Sequence, residues 1–200
     1  MAKPDASDKG SAPAGPAVLP AGEVERLKNE LRAARAKISE LEARADVDPL
    51  LDILNRRGFE RELKRSLAYV KRYGTDAVII YIDLDGFKAV NDRLGHGAGD
   101  ELLKAVAAAL NRNVRASDVV ARLGGDEFAI LMWNVSEAHA GAKARDLEAA
   151  VAAAKVKRGT VEVSVGASAG IVALSPLDTP AQAIDAADHA MYVRKRERQA

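Results

Sequence analysis

Acidic residues follow an apolar run at one point of the chain. Residues 77–82 (AVIIYI) are continuous and rich in β-branched side chains, which predicts a buried strand. The next six residues, 83–88, read DLDGFK. Carboxylates at a strand end suit hard cations, because Mg²⁺ prefers oxygen ligands and bridges carboxylates to phosphates. Paired aspartates after a strand also occur in plain solvated turns, so this segment alone leaves both interpretations open.

A second acidic segment, residues 124–128 (GGDEF), lies between predicted strands at 119–122 and 127–132. Two glycines at a hairpin tip permit positive φ angles and let a bulky anion approach the backbone. Asp126 and Glu127 are expected on the outgoing strand with their side chains on opposite faces. We therefore expect different roles, one as a metal ligand and the other as a supporting, basic or partner-facing group. A two-glycine turn with solvated carboxylates is the alternative.

A third polar segment, residues 91–100 (NDRLGHGAGD), lies between these two. Asparagine and aspartate can read the edge of a guanine base, because a carboxylate accepts from its ring and exocyclic N–H groups. The glycines leave room for a flat base. Taken alone, the segment reads as a loop and the N-cap of a following helix.

The remaining pattern predicts interleaved helices and strands. Helices are predicted at residues 55–74, 99–112 and 136–154, and a last helix is predicted after the capping-box-like residues 179–182 (TPAQ). Residues 161–174 contain one or two strands broken near Gly166. This order predicts an α/β or α+β domain of about 150 residues.

The first 46 residues differ from this domain. Residues 1–21 are rich in Ala, Pro, Gly and Ser and are expected to be disordered. Seven residues then follow a heptad pattern: Val24, Leu27, Leu31, Ala34, Ile38, Leu41 and Ala45. In a parallel pair, three flanking positions carry opposite charges: Glu23 with Lys28, Glu30 with Arg35, and Lys37 with Glu42. The pattern favours a parallel coiled coil over a single amphipathic helix packed on its own domain.

Composition excludes several classes of protein. The 200-residue chain has no cysteine, which removes disulfide frameworks, Cys-ligated zinc and thiol catalysis. Its net charge of +1 gives no indication of a nucleic-acid partner. Neither a signal peptide nor an apolar run long enough for a membrane span is found in the sequence. A cytoplasmic protein is therefore expected.

Residues 124–128 spell the signature of the GGDEF family of diguanylate cyclases. Four other segments have the order and spacing of that family: residues 83–88, Asn91-Asp92, Gly95-His96 and Gly99-Asp100. The chain resembles the family over residues 47–198. The resemblance implies a central, mostly antiparallel sheet wrapped by helices, similar to adenylyl cyclase and polymerase palm domains. Together with the composition and heptad pattern above, this gives an expected organisation of a tail at 1–21, a coiled-coil dimerisation helix at 22–46 and a GGDEF catalytic domain at 47–200.

The resemblance also implies an activity in bacterial signal transduction. A homodimer joins two GTP molecules into cyclic di-GMP and releases pyrophosphate, with Mg²⁺ or Mn²⁺ as cofactor. Asp83, Asp126 and the carbonyl of Leu84 are the implied metal ligands. Glu127 is implied to activate the ribose 3′-hydroxyl or to support the metals.

The implied substrate contacts lie in three segments. Asn91 and Asp100 would recognise guanine. Phe87 and Lys88 would hold the phosphates through the turn, and Lys195 would reach them from the last helix.

An inhibitory site is implied by Arg115 and Asp118, which resemble the family's RxxD site for the product. Arginine can hold guanine or phosphate through two parallel hydrogen bonds, and aspartate can accept from the guanine edge. A surface turn is the alternative interpretation.

Two positions depart from the family pattern. Leu51 stands where threonine is common, and Gln199 stands where arginine is expected near the end of the last helix. Two other functions therefore stay open beside the enzyme. One is a catalytically silent GGDEF domain that binds GTP or cyclic di-GMP, and the other is a coiled-coil adaptor without activity.

Overall fold

The computed structural model describes residues 21–199, with side chains described in that range except at positions 21, 36, 38–44, 198 and 199. Contacts divide the chain into two units, Met1–Leu41 and Glu42–Ala200. The expected disordered tail lies outside the described residues, apart from its last position.

Six helices and seven strands are found in the described residues. The helices are α1 (Ala21–Ala45), α2 (Arg56–Tyr73), α3 (Phe87–Leu94), α4 (His96–Arg112), α5 (Glu137–Ala153) and α6 (Pro180–Gln199). The strands are β1 (Leu54–Asn55), β2 (Ala77–Asp85), β3 (Val119–Gly124), β4 (Glu127–Trp133), β5 (Val156–Arg158), β6 (Val161–Val163) and β7 (Gly166–Ala173).

Five strands form one sheet in the order β1-β3-β4-β2-β7. The pairing of β1 with β3 is parallel, and the other three pairings are antiparallel. Strands β5 and β6 form a separate antiparallel hairpin. The mostly antiparallel central sheet confirms the expected fold class.

Helices cover both faces of this sheet. Buried side chains of α2 and α6 form one apolar cluster with Ile79 and Tyr81 of β2. Buried side chains of α4 and α5 form a second cluster with Ile80 and Ile82. Neighbouring residues of β2 therefore point into different cores, which explains why the strand is apolar throughout although its neighbours are antiparallel.

Local signals confirm three predicted helix boundaries. The Asn55 side chain accepts from the Gly58 N–H at 3.0 Å and caps α2, which ends at Gly74 with φ of 65°. The Thr179 backbone N–H donates to the Gln182 side chain at 3.0 Å, and the Gln182 N–H donates to Thr179 Oγ1 at 3.3 Å. This reciprocal pair is the capping box expected before α6.

Several predicted boundaries were wrong. The segment after the aspartates is helix α3 rather than a turn, and α4 begins at His96 rather than at residue 99. Strand β2 extends through Asp85, and Asp126 lies in the hairpin turn rather than on the outgoing strand. The short strands β1 and β5 were not predicted, because two or three residues carry no periodic signal.

Helix α1 has 25 residues and overlaps the segment in which the heptad pattern was found. Leu27 and Leu31 of the predicted seam are 42% and 51% exposed.

Candidate active site

The two acidic segments meet at the C-terminal end of β2, beside the hairpin that β3 and β4 form. Asp83 lies opposite Glu127 in the antiparallel register of β2 and β4. The Leu84 N–H donates to the Asp126 carbonyl at 3.2 Å. Burial raises the pKa of the Asp126 carboxyl, its own backbone N–H opposes this rise, and the charge of Asp83 adds to it. The structure therefore brings all three predicted carboxylates to one place.

Lys195 reaches this cluster from α6. Its ammonium forms an ion pair with Asp83 and lies 3.2 Å from Oδ1 of Asp85. Burial lowers the pKa of Lys195, but hydrogen bonds and charge from Asp83 and Asp85 outweigh it, so the net shift is upward. The lysine predicted to reach phosphates thus contacts the carboxylates, and it is held in its charged form.

One polar residue beside Asp85 was missed in the sequence, Ser168. Asp85 accepts from the Ser168 hydroxyl at 3.1 and 3.2 Å. Ser168 is buried on β7, directly opposite Asp83 in the register of β2 and β7. Because Ser168 lies 83 positions from Asp85, no local pattern connects the two.

Glu127 has its own surroundings. Nη2 of Arg56 lies 3.8 Å from Oε2 of Glu127, and Nε of Arg56 donates to the Leu123 carbonyl at 3.0 Å. Tyr81, which precedes Asp83 by two residues on β2, is buried. Burial is the largest cause that raises the pKa of Tyr81, and the charge of Glu127 and a hydrogen bond to it add to the rise. Tyr81 and Arg56 therefore fix the orientation of Glu127, although neither was singled out in the sequence.

The hairpin tip is held from outside by Arg122. Gly125 has φ of 39°, a value that side-chain-bearing residues rarely adopt. Its carbonyl accepts from Nε and Nη2 of Arg122 at 2.9 and 2.7 Å. The tip conformation is therefore set by glycine and by this arginine together.

The predicted guanine-reading residues lie on α3 and α4. Oδ1 of Asn91 is buried, and no hydrogen-bond donor from the described part of the chain reaches it. A Cβ atom on Gly99 would lie 2.0 Å from this oxygen and 3.1 Å from Cζ of Phe87. Asp100, in the first turns of α4, is exposed. Buried acceptors are nearly always paired, so an unpaired oxygen at this contact of α3 with α4 is a candidate acceptor for a ligand N–H.

The two phosphate-contact candidates on α3 differ in exposure. Phe87 is buried against the core, whereas Lys88 is exposed. The Gly86 that precedes them has φ of 80° and begins α3 without a side-chain cap. Free backbone N–H groups at the start of α3 suit an anion. The Phe87 ring does not point to such an anion site but packs beside Gly99.

Arg115 and Asp118 form a turn at a separate place. The Arg115 N–H donates to Oδ2 of Asp118 at 2.9 Å, and the Asp118 N–H donates to the Arg115 carbonyl at 3.0 Å. Oδ1 of Asp118 is buried, and it has no hydrogen-bond partner within the described residues. Both residues line a cavity of about 660 Å³ that also includes Lys143 and His139. Arg115 and Asp118 therefore form the turn that was given as the alternative interpretation. This turn borders a cavity large enough for a nucleotide.

The donor set at the carboxylate cluster fits a hard cation. No group of three or more His, Cys, Asp or Glu side chains suited to a metal occurs among residues 21–199. The cluster nevertheless already engages a cation, the Lys195 ammonium, through oxygen atoms alone. Mg²⁺ is commonly bound through one or two carboxylates together with substrate phosphates and water, so two aspartates and a backbone carbonyl are sufficient.

Among the described helices, none combines the length and apolar character needed to cross a bilayer.

Comparison with protein families gives one extended match. The family described as "Diguanylate cyclase, GGDEF domain" matches residues 45–200. The chain is 37% identical over 179 residues to diguanylate cyclase TpbB of Pseudomonas aeruginosa, covering 86% of this chain and 41% of that protein. It is 36% identical over 174 residues to diguanylate cyclase DosC of Escherichia coli K12, covering 86% and 37%. The chain thus spans about two fifths of the length of these relatives.

Solved structures show the same fold. The coiled coil and GGDEF domain of DgcB from Caulobacter crescentus, in complex with c-di-GMP, superposes with a TM-score of 0.74 at 25% identity, covering 88% of this chain and 94% of that one. The GGDEF domain of TpbB from Pseudomonas aeruginosa superposes with a TM-score of 0.70 at 39% identity, covering 76% and 89%.

Proposed function

The chain belongs to the GGDEF-domain family of diguanylate cyclases, and from this premise we propose that it condenses two GTP molecules into cyclic di-GMP. The observation that carries the proposal is the meeting of Asp83, Asp126 and Glu127 at one end of β2, with the Lys195 ammonium against Asp83. This arrangement concentrates carboxylates and one cation where nucleotide phosphates need both metal ligands and a positive charge.

The reaction consists of two equivalent transfers. The 3′-hydroxyl of one GTP attacks the α-phosphorus of the other, an O–P bond forms, and the bond from that phosphorus to the pyrophosphate oxygen breaks. Glu127 takes the proton of the attacking hydroxyl, and Arg56 and Tyr81 hold this carboxylate in place. The second transfer closes the ring, so two pyrophosphates leave for each cyclic di-GMP.

Asp83, Asp126 and the Leu84 carbonyl would hold Mg²⁺, or Mn²⁺ in its place. The bound ion would neutralise phosphate charge and align the groups for in-line displacement. Lys195 contributes a further positive charge beside the same carboxylates.

Guanine recognition is assigned to Asn91 and Asp100. The buried Asn91 oxygen would accept from a guanine N–H, and the exposed Asp100 carboxylate would accept from another. Gly99 leaves the space that Asn91 occupies. The start of α3, at Phe87 and Lys88, would bind phosphate through backbone N–H groups and the Lys88 ammonium.

A dimer follows from the reaction, because each domain would hold one GTP and two must face each other. We assign dimerisation to the coiled-coil helix, residues 22–46, and catalysis to residues 47–200, with residues 1–21 as a tail. Exposed Leu27 and Leu31 support the pairing of α1 helices from two copies. Such pairing raises the effective concentration of one half-site near the other.

Arg115 and Asp118 are assigned to product inhibition. The unpaired Oδ1 of Asp118 and the adjoining cavity support a ligand that offers N–H groups. The same observation favours the second candidate function, a silent domain that acts as a receptor for cyclic di-GMP. Turnover separates the two functions.

The test is a turnover measurement on purified, nucleotide-free protein with GTP and Mg²⁺, followed by chromatography of the products. Asp126→Ala is measured in parallel, with Asp185→Ala, an exposed aspartate of α6, as the matched control. Cyclic di-GMP from the wild type and the control, but not from Asp126→Ala, supports the enzyme. No product from any protein, with cyclic di-GMP binding retained, supports the receptor.

A further inference from the structure

The outer strand of the sheet, β7, has one residue whose backbone is bound by two side chains. The Ala169 N–H donates to Oε1 of Glu148 at 2.9 Å. The Ala169 carbonyl accepts from Nη1 of Arg194 at 3.3 Å. Nη2 of Arg194 lies 3.7 Å from Oε2 of Glu148, so each of the three groups contacts the other two.

The two side chains come from opposite faces of the sheet. Glu148 belongs to α5, which packs with the core that contains Ile80, and Arg194 belongs to α6, which packs with the core that contains Ile79. Their side chains are only 10% and 29% exposed. The pair therefore crosses the edge of the sheet and supplies partners for backbone groups that a neighbouring strand would otherwise bind.

Helix α6 lies directly against β7 one residue further along the strand. A Cβ atom on Gly170 would lie 2.1 Å from the Met191 nitrogen and 2.4 Å from the Ala187 carbonyl oxygen. The helix backbone thus contacts the strand at Gly170, and the Arg194 side chain contacts it at Ala169. Two such points set both the rotation and the axial position of the helix.

Lys195 follows Arg194 directly and contacts the carboxylates of β2. A shift of α6 by one residue would move each side chain by about 1.5 Å along the axis and about 100° around it. Fixing Arg194 on β7 therefore fixes where Lys195 points.

We propose that Glu148 and Arg194 form an edge clamp that positions Lys195 at the carboxylate cluster. The clamp acts on the reaction only through Lys195, so both residues are positioning residues rather than catalytic ones. This inference rests on the proposed diguanylate cyclase activity, and it adds two residues that the sequence motifs do not contain.

A double-mutant cycle tests the proposal. Turnover at saturating GTP is measured for the wild-type protein, Arg194→Leu, Lys195→Met and the double variant. Arg194→Leu is expected to lower turnover about tenfold, as small displacements of a positioned group do. In the Lys195→Met background the same change is expected to have less than about a twofold effect, because the group it positions is gone. Equal effects in both backgrounds would show a general structural role and overturn the proposal.

Two further variants accompany the cycle, one as a control and one as a conservative replacement. Arg145→Leu removes an exposed arginine of α5 one turn from Glu148 and is the charge-matched control. A tenfold loss in this control would also contradict the clamp. Arg194→Lys keeps a cation and a donor, and about threefold lower turnover is expected from it. If Arg194→Leu does not fold, Arg194→Lys takes its place in the cycle under the same criterion of non-additivity.

Hydrogen exchange gives a readout that does not depend on catalysis. Arg194→Leu or Arg194→Lys is expected to speed exchange in residues 186–197, whereas Arg145→Leu is not. Unchanged exchange in both Arg194 variants would overturn the clamp. If the wild type forms no cyclic di-GMP, the proposed function fails, and the exchange result still decides whether the clamp holds α6.

Discussion

Arg122 donates from Nη1 to Oδ2 of Asp48 at 3.2 Å, across 74 positions of the chain. The same guanidinium donates to the Gly125 carbonyl at the hairpin tip. Asp48 also accepts from the backbone N–H groups of Leu50 and Leu51 at 2.9 and 3.0 Å. One arginine thus connects the turn that precedes α2 with the hairpin that carries Asp126.

Arg122→Leu is predicted to destabilise the fold by about 2 kcal/mol, because it leaves the Asp48 carboxylate partly buried without this partner. The two side chains are 17% and 12% exposed, so water replaces the lost contact poorly. Urea unfolding followed by circular dichroism measures the change. The control is Lys155→Leu, which breaks an ion pair with Glu162 whose members are 54% and 47% exposed. A comparable loss in the control would contradict the assigned role of burial, since exposed pairs contribute about 0–1 kcal/mol.

Gly99→Ala is predicted to raise the KM for GTP about tenfold, the scale of one misplaced hydrogen bond to a bound base. The added Cβ would lie 2.0 Å from Oδ1 of Asn91, so the amide must move. Steady-state kinetics give the KM. Gly141→Ala, in helix α5 with open space around the new methyl group, is the matched control. It is expected to leave KM unchanged and to stabilise the fold by about 0.5–1 kcal/mol. An unchanged KM for Gly99→Ala would contradict the placement of guanine at Asn91.

Tyr81 is predicted to make the fold less stable at alkaline pH. Burial, the charges of Glu127 and Asp188, and the hydrogen bond to Glu127 raise its pKa well above the ordinary value of 10.0, against the opposing charge of Arg56. Above that ordinary value the unfolded chain releases the proton while the folded chain keeps it. Stability from this group is therefore complete at lower pH and declines as pH rises, by about 1.4 kcal/mol per pH unit.

Tyr81→Phe is expected to lack this part of the alkaline decline, and urea unfolding from pH 9 to about 11.5 compares the two proteins. Tyr73→Phe, at a side chain 57% exposed, is the control. Parallel pH curves for wild type and Tyr81→Phe would refute the assigned environment of the phenol.

Arg115→Ala is predicted to weaken inhibition by added cyclic di-GMP at least tenfold, because the arginine supplies charge-assisted hydrogen bonds that water cannot replace in the bound complex. Initial rates over a product titration give the inhibition constant, and calorimetry gives the affinity. Arg145→Leu again serves as the charge control. Inhibition of the same strength in Arg115→Ala would place product binding elsewhere.

The parts of the fold that were predictable have local signals. Strand β2, the β3–β4 hairpin and α2 carry an apolar run, a glycine pair and capping residues, each within a few positions. Helix α3 was missed because Asn91, Asp92 and the nearby glycines suggest a loop, and its N-cap, Gly86, offers no side-chain signal. Phe87, Val90 and Leu94 do recur at helical spacing and pack on the core, so a weak indication was present.

The candidate site likewise has parts that could be predicted from the sequence and parts that could not. The carboxylates stand in contiguous motifs, and their meeting follows from strand pairing. The contacts of Lys195 with Asp83 and of Ser168 with Asp85 span 112 and 83 positions. The edge clamp joins α5, β7 and α6. Such contacts depend on how helices lie on the sheet, and no spacing in the chain carries that information.

Replacing Leu27, Leu31 and Ile38 with asparagine is predicted to weaken dimerisation and turnover together. Polar side chains in a heptad seam lose the apolar burial that holds two helices together. The seam has only about three heptads and contains two alanines, so little other apolar burial is left to stabilise the pair. Sedimentation velocity measures the assembly, and turnover is measured over a range of protein concentrations. The triple variant is expected to regain activity as concentration rises, because encounter of two domains replaces the tether. The control replaces Arg26 and Arg32, which lie outside the seam and outside the flanking charge pairs, with glutamine. Unchanged sedimentation of the triple asparagine variant would exclude the coiled coil as the dimer interface, whereas lost dimerisation with full turnover would show that the active pair forms through the catalytic domains alone.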